Sequence, residues 1–123
     1  MTYVDGFIAA VPSDQREAFL KHAEDAWPVF KEHGALTQVE CWGDDVPRGE
    51  LTDFHRAVKA EASETVVFSW ITWPDRETRN AGMKKVMEDP RLHADHNPMP
   101  FDGKRMVFGG FEMILERGGA HRG

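Results

Sequence analysis

The sequence has 123 residues and a mass of 14.0 kDa, with 41% hydrophobic and 29% charged residues. Area scaling takes such a chain from roughly 20,000 Å² extended to roughly 6,700 Å² folded, burying about two-thirds, so a single domain spanning 1–123 needs no metal or disulfide staple. The formal net charge of −6 lacks the clustered positive charge that nucleic-acid partners demand, and the lone Cys41 excludes an intramolecular disulfide framework and a cysteine-based zinc cage.

No apolar run approaches the length of a membrane span, so no membrane partner and a soluble, cytoplasmic protein are expected. Tyr3 to Val11 is almost wholly apolar and ends at Pro12, which reads as a strand buried on both faces. Ser13 and Asp14 offer an N-cap, Asp14 and Glu17 have the spacing of a capping box, and Phe19, Ala23, Ala26, Trp27 and Phe30 form one helical stripe. Pro28 inside that stripe predicts a kink, and Gly34 a stop.

Ala35 to Trp42 alternates as a second strand, and Gly43 to Gly49 is turn material. Thr52 to Ala60 reads as an extra strand, with a short helix as the alternative, closing a hairpin through Glu61 to Glu64 into the strand Thr65 to Trp73. Pro74 and Asp75 begin a second helix that runs to Asp89-Pro90, and Arg91 to Gly103 is a structured loop. Arg105 to Glu116 is the last strand, with a bend or close approach at Gly109-Gly110. The ordered core is about residues 3–116, and 118–123 form a frayed tail.

Without the extra strand, this order is the split βαβ pattern of a ferredoxin-like α+β fold, an antiparallel sheet with two helices on one face. Strands apolar on both faces then need a second cover, and another copy of the same sheet supplies one in a homodimer with a dimeric α/β-barrel body.

Tyr3-Val4-Asp5-Gly6-Phe7, Val39-Glu40-Cys41-Trp42 running into Asp45-Val46-Pro47, Ala57-Val58-Lys59-Ala60, Val66-Val67-Phe68-Ser69-Trp70 and Met99-Pro100-Phe101-Asp102-Gly103-Lys104-Arg105-Met106 together resemble the small bacterial YbaA-like family. The resemblance runs from about Tyr3 to about Glu116. It implies a dimeric α/β-barrel protein of unknown function and brings no catalytic residues. The wider superfamily ranges from cofactor-independent monooxygenases and isomerases to haem-degrading proteins and plain ligand binders, so the fold does not select an activity.

Alternation on the first strand assigns Val4, Gly6, Ile8 and Ala10 to the helix-facing side. The opposite face then carries Asp5 and Phe7, joined by Gln38, Glu40, Trp42, Phe68, Trp70 and Glu112, with Tyr3, Met106 and Phe108 beside them. In a dimer this face lines the interior, an aromatic-walled candidate pocket in which Asp5, Glu40 and Glu112 could bind a small molecule or act as acid and base. The competing reading pairs each carboxylate with Arg56, Lys59, Arg105 or a backbone N–H.

His93, Asp95 and His96, with Asp89 and Asp102 nearby, share a Pro-rich loop without the spacing of a metal motif, so no metal is assigned. No cofactor is assigned either. The second helix, Asp75 to Glu88, has no histidine to serve as a haem ligand. Cys41 falls on the helix-facing side as an inert thiol. The function read from the sequence is a dimer of unknown activity binding a small molecule in its interior. The alternative is a cofactor-independent enzyme that uses the interior carboxylates.

Overall fold

The computed structural model describes residues 2–118. Strand β1 (Tyr3–Pro12) leads through a 3-10 turn (Ser13–Gln15) into helix α1 (Arg16–Glu32). Strand β2 (Thr37–Trp42), the one-turn helix α2 (Phe54–Ala57), strand β3 (Glu64–Trp73) and helix α3 (Arg76–Glu88) follow. Two further 3-10 turns (Pro90–Leu92 and Gly103–Arg105) frame the loop before strand β4 (Val107–Glu112). The four strands form one open antiparallel sheet in the order β2-β3-β1-β4. Among the described residues the fold is therefore α+β with three α-helices. The expected tail beyond residue 118 lies outside the described residues.

Three local expectations are corrected. The extra strand at Thr52–Ala60 is replaced by α2, because the Asp53 side chain accepts the Arg56 N–H at 2.7 Å and caps a helical turn. Ser13 and Asp14 do not cap α1. The 3-10 turn comes between, and the Ser13 hydroxyl instead meets the Thr65 hydroxyl at 2.7 Å, tying the end of β1 to β3. Residues 105 and 106 precede β4, which ends at Glu112 rather than Glu116.

The register decides which side chains share a face. Asp5 pairs with Ile71, Phe7 with Ser69 and Ala9 with Val67, while Gln38 faces Ile71 and Glu40 faces Ser69. Two core clusters on this face pack against the helices. Tyr3, Ile71 and Trp73 gather Trp27, Phe30 and Met83, and Ala9, Val11 and Val67 gather Phe19 and Phe101. The helix-facing side is thus Tyr3, Asp5, Phe7 and Ala9, the reverse of the sequence-based assignment. Two helices over a four-stranded sheet leave a deep gap, and large side chains such as Tyr3 and Phe7 fill it where glycine and alanine would not.

The other face carries Ile8, Ala10 and Val66. One end of it is covered by Val58, fully buried just after α2. Phe54 of α2 also stands against Phe68, with ring centroids 6.2 Å apart, and among the described residues the remainder is open: Phe68 is 46% and Phe111 60% exposed. Cys41, opposite Phe68 in the ladder, lies on this face and not on the helix-facing one.

Helix α3 is fastened to the sheet by chemistry as well as by packing. The buried Asp5 carboxylate accepts from Arg79 Nη2 at 2.7 Å and from its Nε at 3.1 Å, and from Trp73 Nε1 at 2.9 Å. The Arg79 guanidinium also stacks over the Tyr3 ring, 5.1 Å from its centroid. Gly110 of β4 is what admits this arrangement. A Cβ there would stand 2.7 Å from both Arg79 Nη2 and the Tyr3 hydroxyl.

Candidate functional site

Between the helix-facing side of the sheet, α1, α3 and the loop over residues 92–106 lies a cavity of about 480 Å³. Its size falls within the range of small-molecule sites. The walls are mainly apolar: Phe7, Ala9, Val67 and Ile71 from the sheet, Phe19, Ala23, Ala26 and Phe30 from α1, Met83, Val86 and Met87 from α3, and Met99 and Phe101 from the loop.

The polar groups gather at one side. Glu40 and Ser69 face each other across β2 and β3, and Gln38 stands two residues away on the same face. Gln38 Nε2 donates to Glu40 Oε2 at 3.1 Å and to the Ala23 carbonyl at 3.0 Å, which uses both its hydrogens. Gln38 Oε1 is buried and, among the described residues, has no hydrogen-bond partner. Burial pushes the Glu40 carboxyl above the ordinary glutamate range, partly offset by hydrogen bonds from the Gln38 and Ser69 side chains.

The second polar group is His22 on α1. Its Nδ1 lies 2.8 Å from Asn97 Oδ1, and Asn97 Nδ2 donates back to the His22 carbonyl at 3.1 Å. With the amide nitrogen so engaged, the amide oxygen is the acceptor. The neutral imidazole therefore carries its proton on Nδ1 and keeps Nε2 as a lone-pair acceptor. Asn97 is buried, so this reciprocal pair latches the loop onto α1 beside the cavity.

The structure divides the eight candidate pocket residues. Phe7, Gln38 and Glu40 line the cavity together. Asp5 shares their face but is spent on Arg79 and Trp73. Trp42 packs against Phe19, with ring centroids 6.1 Å apart, beneath the Arg16 guanidinium. Glu112 pairs in register with Tyr3 at the exposed sheet edge. Phe68 and Trp70 lie on the opposite face, because Phe7 pairs with Ser69 and the neighbouring β3 positions point away. Of the proposed carboxylate partners, Arg105 pairs with Glu64 at 2.7 Å.

Reasoning from sequence missed His22, Ser69 and Asn97. His22 sits within the Phe19–Ala26 stripe, one turn from each end, and Ser69 interrupts an apolar strand, signals readable in the sequence. Asn97 lies in a Pro-rich loop whose path carries no periodicity. His93, set aside as a loop residue, also lines the cavity. Elsewhere, the donor atoms of Glu32, His33 and Asp89 lie within 4.8 Å of one another. Arg91 already pairs with both carboxylates, so the arrangement is an ion-pair network closing the ends of α1 and α3.

Residues 2–103 match the family described as "Protein of unknown function (DUF1428)". The chain belongs to this family. It is 56% identical over 116 residues to the "Uncharacterized protein YbaA" of Escherichia coli strain K12, covering 94% of this chain and 99% of that protein. The protein of the same name from Shigella flexneri is similar to the same degree. The YbaA-like resemblance drawn from the sequence is borne out, and the family is one of unknown function. The span matched to DUF1428 contains every cavity-lining residue except Met106, so the cavity falls almost wholly within the family's region.

Proposed function

We propose that this chain is a small-molecule-binding homodimer in which the ligand occupies the cavity between sheet and helices of each subunit, not a space between two sheets. The observation that carries this reading is the combination of an apolar cavity of about 480 Å³ with a half-dry carboxylate and an unpartnered amide oxygen at one side. Apolar walls supply affinity, and a few convergent polar groups fix orientation. The same cavity would allow Glu40 to serve as an acid or base towards a bound molecule, which keeps the cofactor-independent enzyme in view.

The subunit is read as one ferredoxin-like domain, supported by the β2-β3-β1-β4 order with α1 and α3 on a single face. The dimer would use the uncovered face. Four strands about 4.8 Å apart and about 20–30 Å long present about 500 Å² before side-chain relief is counted, near the roughly 600–800 Å² per partner of small to standard interfaces. Exposed Phe68, Val107 and Phe111 occupy this face, and a second copy of an open antiparallel sheet matches it in shape and apolarity. The single cysteine, with no partner for a disulfide within the chain, supports a cytoplasmic setting.

Native mass spectrometry of gently purified protein tests both parts. The expected result is twice the chain mass with an additional small mass retained per subunit. A monomer at micromolar concentration would overturn the dimer. A dimer that neither retains nor takes up any small apolar molecule would overturn the binding site.

A further inference from the structure

We infer that the ligand of the helix-side cavity is an apolar, ring-sized molecule carrying a hydrogen-bond donor, an amine or a hydroxyl, and that anionic ligands are rejected. The inference deepens the proposed small-molecule site and rests on that reading. It follows from the polar inventory of the cavity wall.

Around Glu40 the side-chain atoms with capacity to spare are acceptors, while the spare N–H groups of the lining, on His93 and Asn97, belong to the loop side of the cavity. Gln38 Oε1 is buried without a partner, while its amide hydrogens are committed to Glu40 and to the Ala23 carbonyl. The Glu40 carboxylate has lone pairs beyond those that meet Gln38 and Ser69. In the neutral tautomer set by Asn97, His22 Nε2 accepts as well. The Gln38 oxygen has no exposed surface, so a ligand N–H or O–H meets it only as the Gln38 side chain turns toward the cavity, and an orphaned acceptor of this kind carries a desolvation cost until it is met.

Charge points the same way. Among the described residues the lining includes one carboxylate, two histidines and no lysine or arginine. A carboxylate or phosphate ligand would be placed beside Glu40 in a low-dielectric setting without a lysine or arginine to offset the repulsion. An ammonium would instead be paired by Glu40, and a hydroxyl could donate to it. The apolar remainder fits an aromatic or compact aliphatic body packed among Phe7, Phe19, Phe30 and the methionines, whose thioethers adapt to irregular shapes.

The test compares four probes of one shape by titration calorimetry on the intact protein: 2-phenylethylamine, 2-phenylethanol, ethylbenzene and 3-phenylpropionate. The amine and the alcohol should bind at least about tenfold more tightly than ethylbenzene, one charge-assisted or buried hydrogen bond being worth about that factor. The propionate should bind weakest. Glu40→Gln should bring the amine down to the level of the alcohol, and Gln38→Leu should reduce the preference for both over ethylbenzene. Equal binding of all four, or a preference for the propionate, overturns the donor assignment while leaving the cavity in use. Failure of all four, ethylbenzene included, overturns the binding site itself and the inference with it. The wild-type series decides the question even if either variant fails to fold.

Discussion

Asp5 and Glu40 sit on the same face of the same sheet, yet their partners give them opposite duties. Asp5 meets three N–H donors from Trp73 and Arg79, and Arg79 is held in its charged form chiefly by those hydrogen bonds. Removing that charge would leave a partly buried guanidinium unpaired, so Asp5→Asn should cost about 3 kcal/mol in denaturant unfolding. Glu40 has only neutral donors, and burial raises its pKa. Its folded pKa lies above its unfolded one, so its contribution is most favourable below the unfolded pKa and is lost as pH rises through the folded one. The other titratable groups lining the cavity are His22 and His93. Glu40→Gln should therefore match wild type near pH 4 and melt on the order of 3 °C higher near pH 8. Thermal melts across that range would show it, and a variant less stable at pH 8 would mean that the Glu40 charge holds the fold together.

At the scale of elements, the approach of α3 to the sheet depends on Gly82. A Cβ there would stand 2.3 Å from the His33 carbonyl oxygen and 2.6 Å from the Trp73 ring, and Trp73 is fully buried. Gly82→Ala should lower stability by about 2 kcal/mol, measured by urea unfolding, despite the better helix propensity of alanine. A neutral or stabilising result would show that α3 rides further from the sheet. The same scale shows what the sequence makes legible. The stripe Phe19–Phe30, the runs Tyr3–Val11 and Thr65–Trp73, and the Asp75 start of α3 carry strong local periodicity or capping, and each appears as an element. Asp53 carries the same capping signal as Asp75, but Phe54 and Val58 fit both a strand and a helical turn, and the strand reading misled. The facing of the sheet was hidden for a different reason. Both faces of β1 are apolar, and the Arg79 that makes Asp5 acceptable in the core lies 74 residues away. A one-position slip on β3 then moved Phe68 and Trp70 to the wrong side, because strand period two inverts every side chain at once. Glu40, Gln38 and Phe7 share a face in sequence and structure alike, since alternation on β1 and β2 fixes their phase whichever layer lies above them.

For the molecule as a whole, the two faces of the sheet separate two properties. Pairing between copies would use Phe68, Trp70, Val107 and Phe111, while the cavity lies under α1 and α3. Phe68→Lys puts a charge into the apolar face and should abolish the proposed pairing, so that sedimentation velocity reads a monomer, leaving uptake of 2-phenylethanol within about twofold of wild type. Loss of both together would mean that ligand and partner share one surface.

The cavity itself is addressed most directly by its methionines. Of the six in the sequence, Met83, Met87, Met99 and Met106 line it, whereas Met113 lies beyond β4 outside it. In protein labelled with 13C at the methionine methyls, 2-phenylethanol should shift the four cavity signals together along one saturable curve, by ring current, and leave Met113 unmoved. A shift confined to Met113, or four cavity methyls unmoved at saturating probe, would contradict a ligand site between the sheet and its helices.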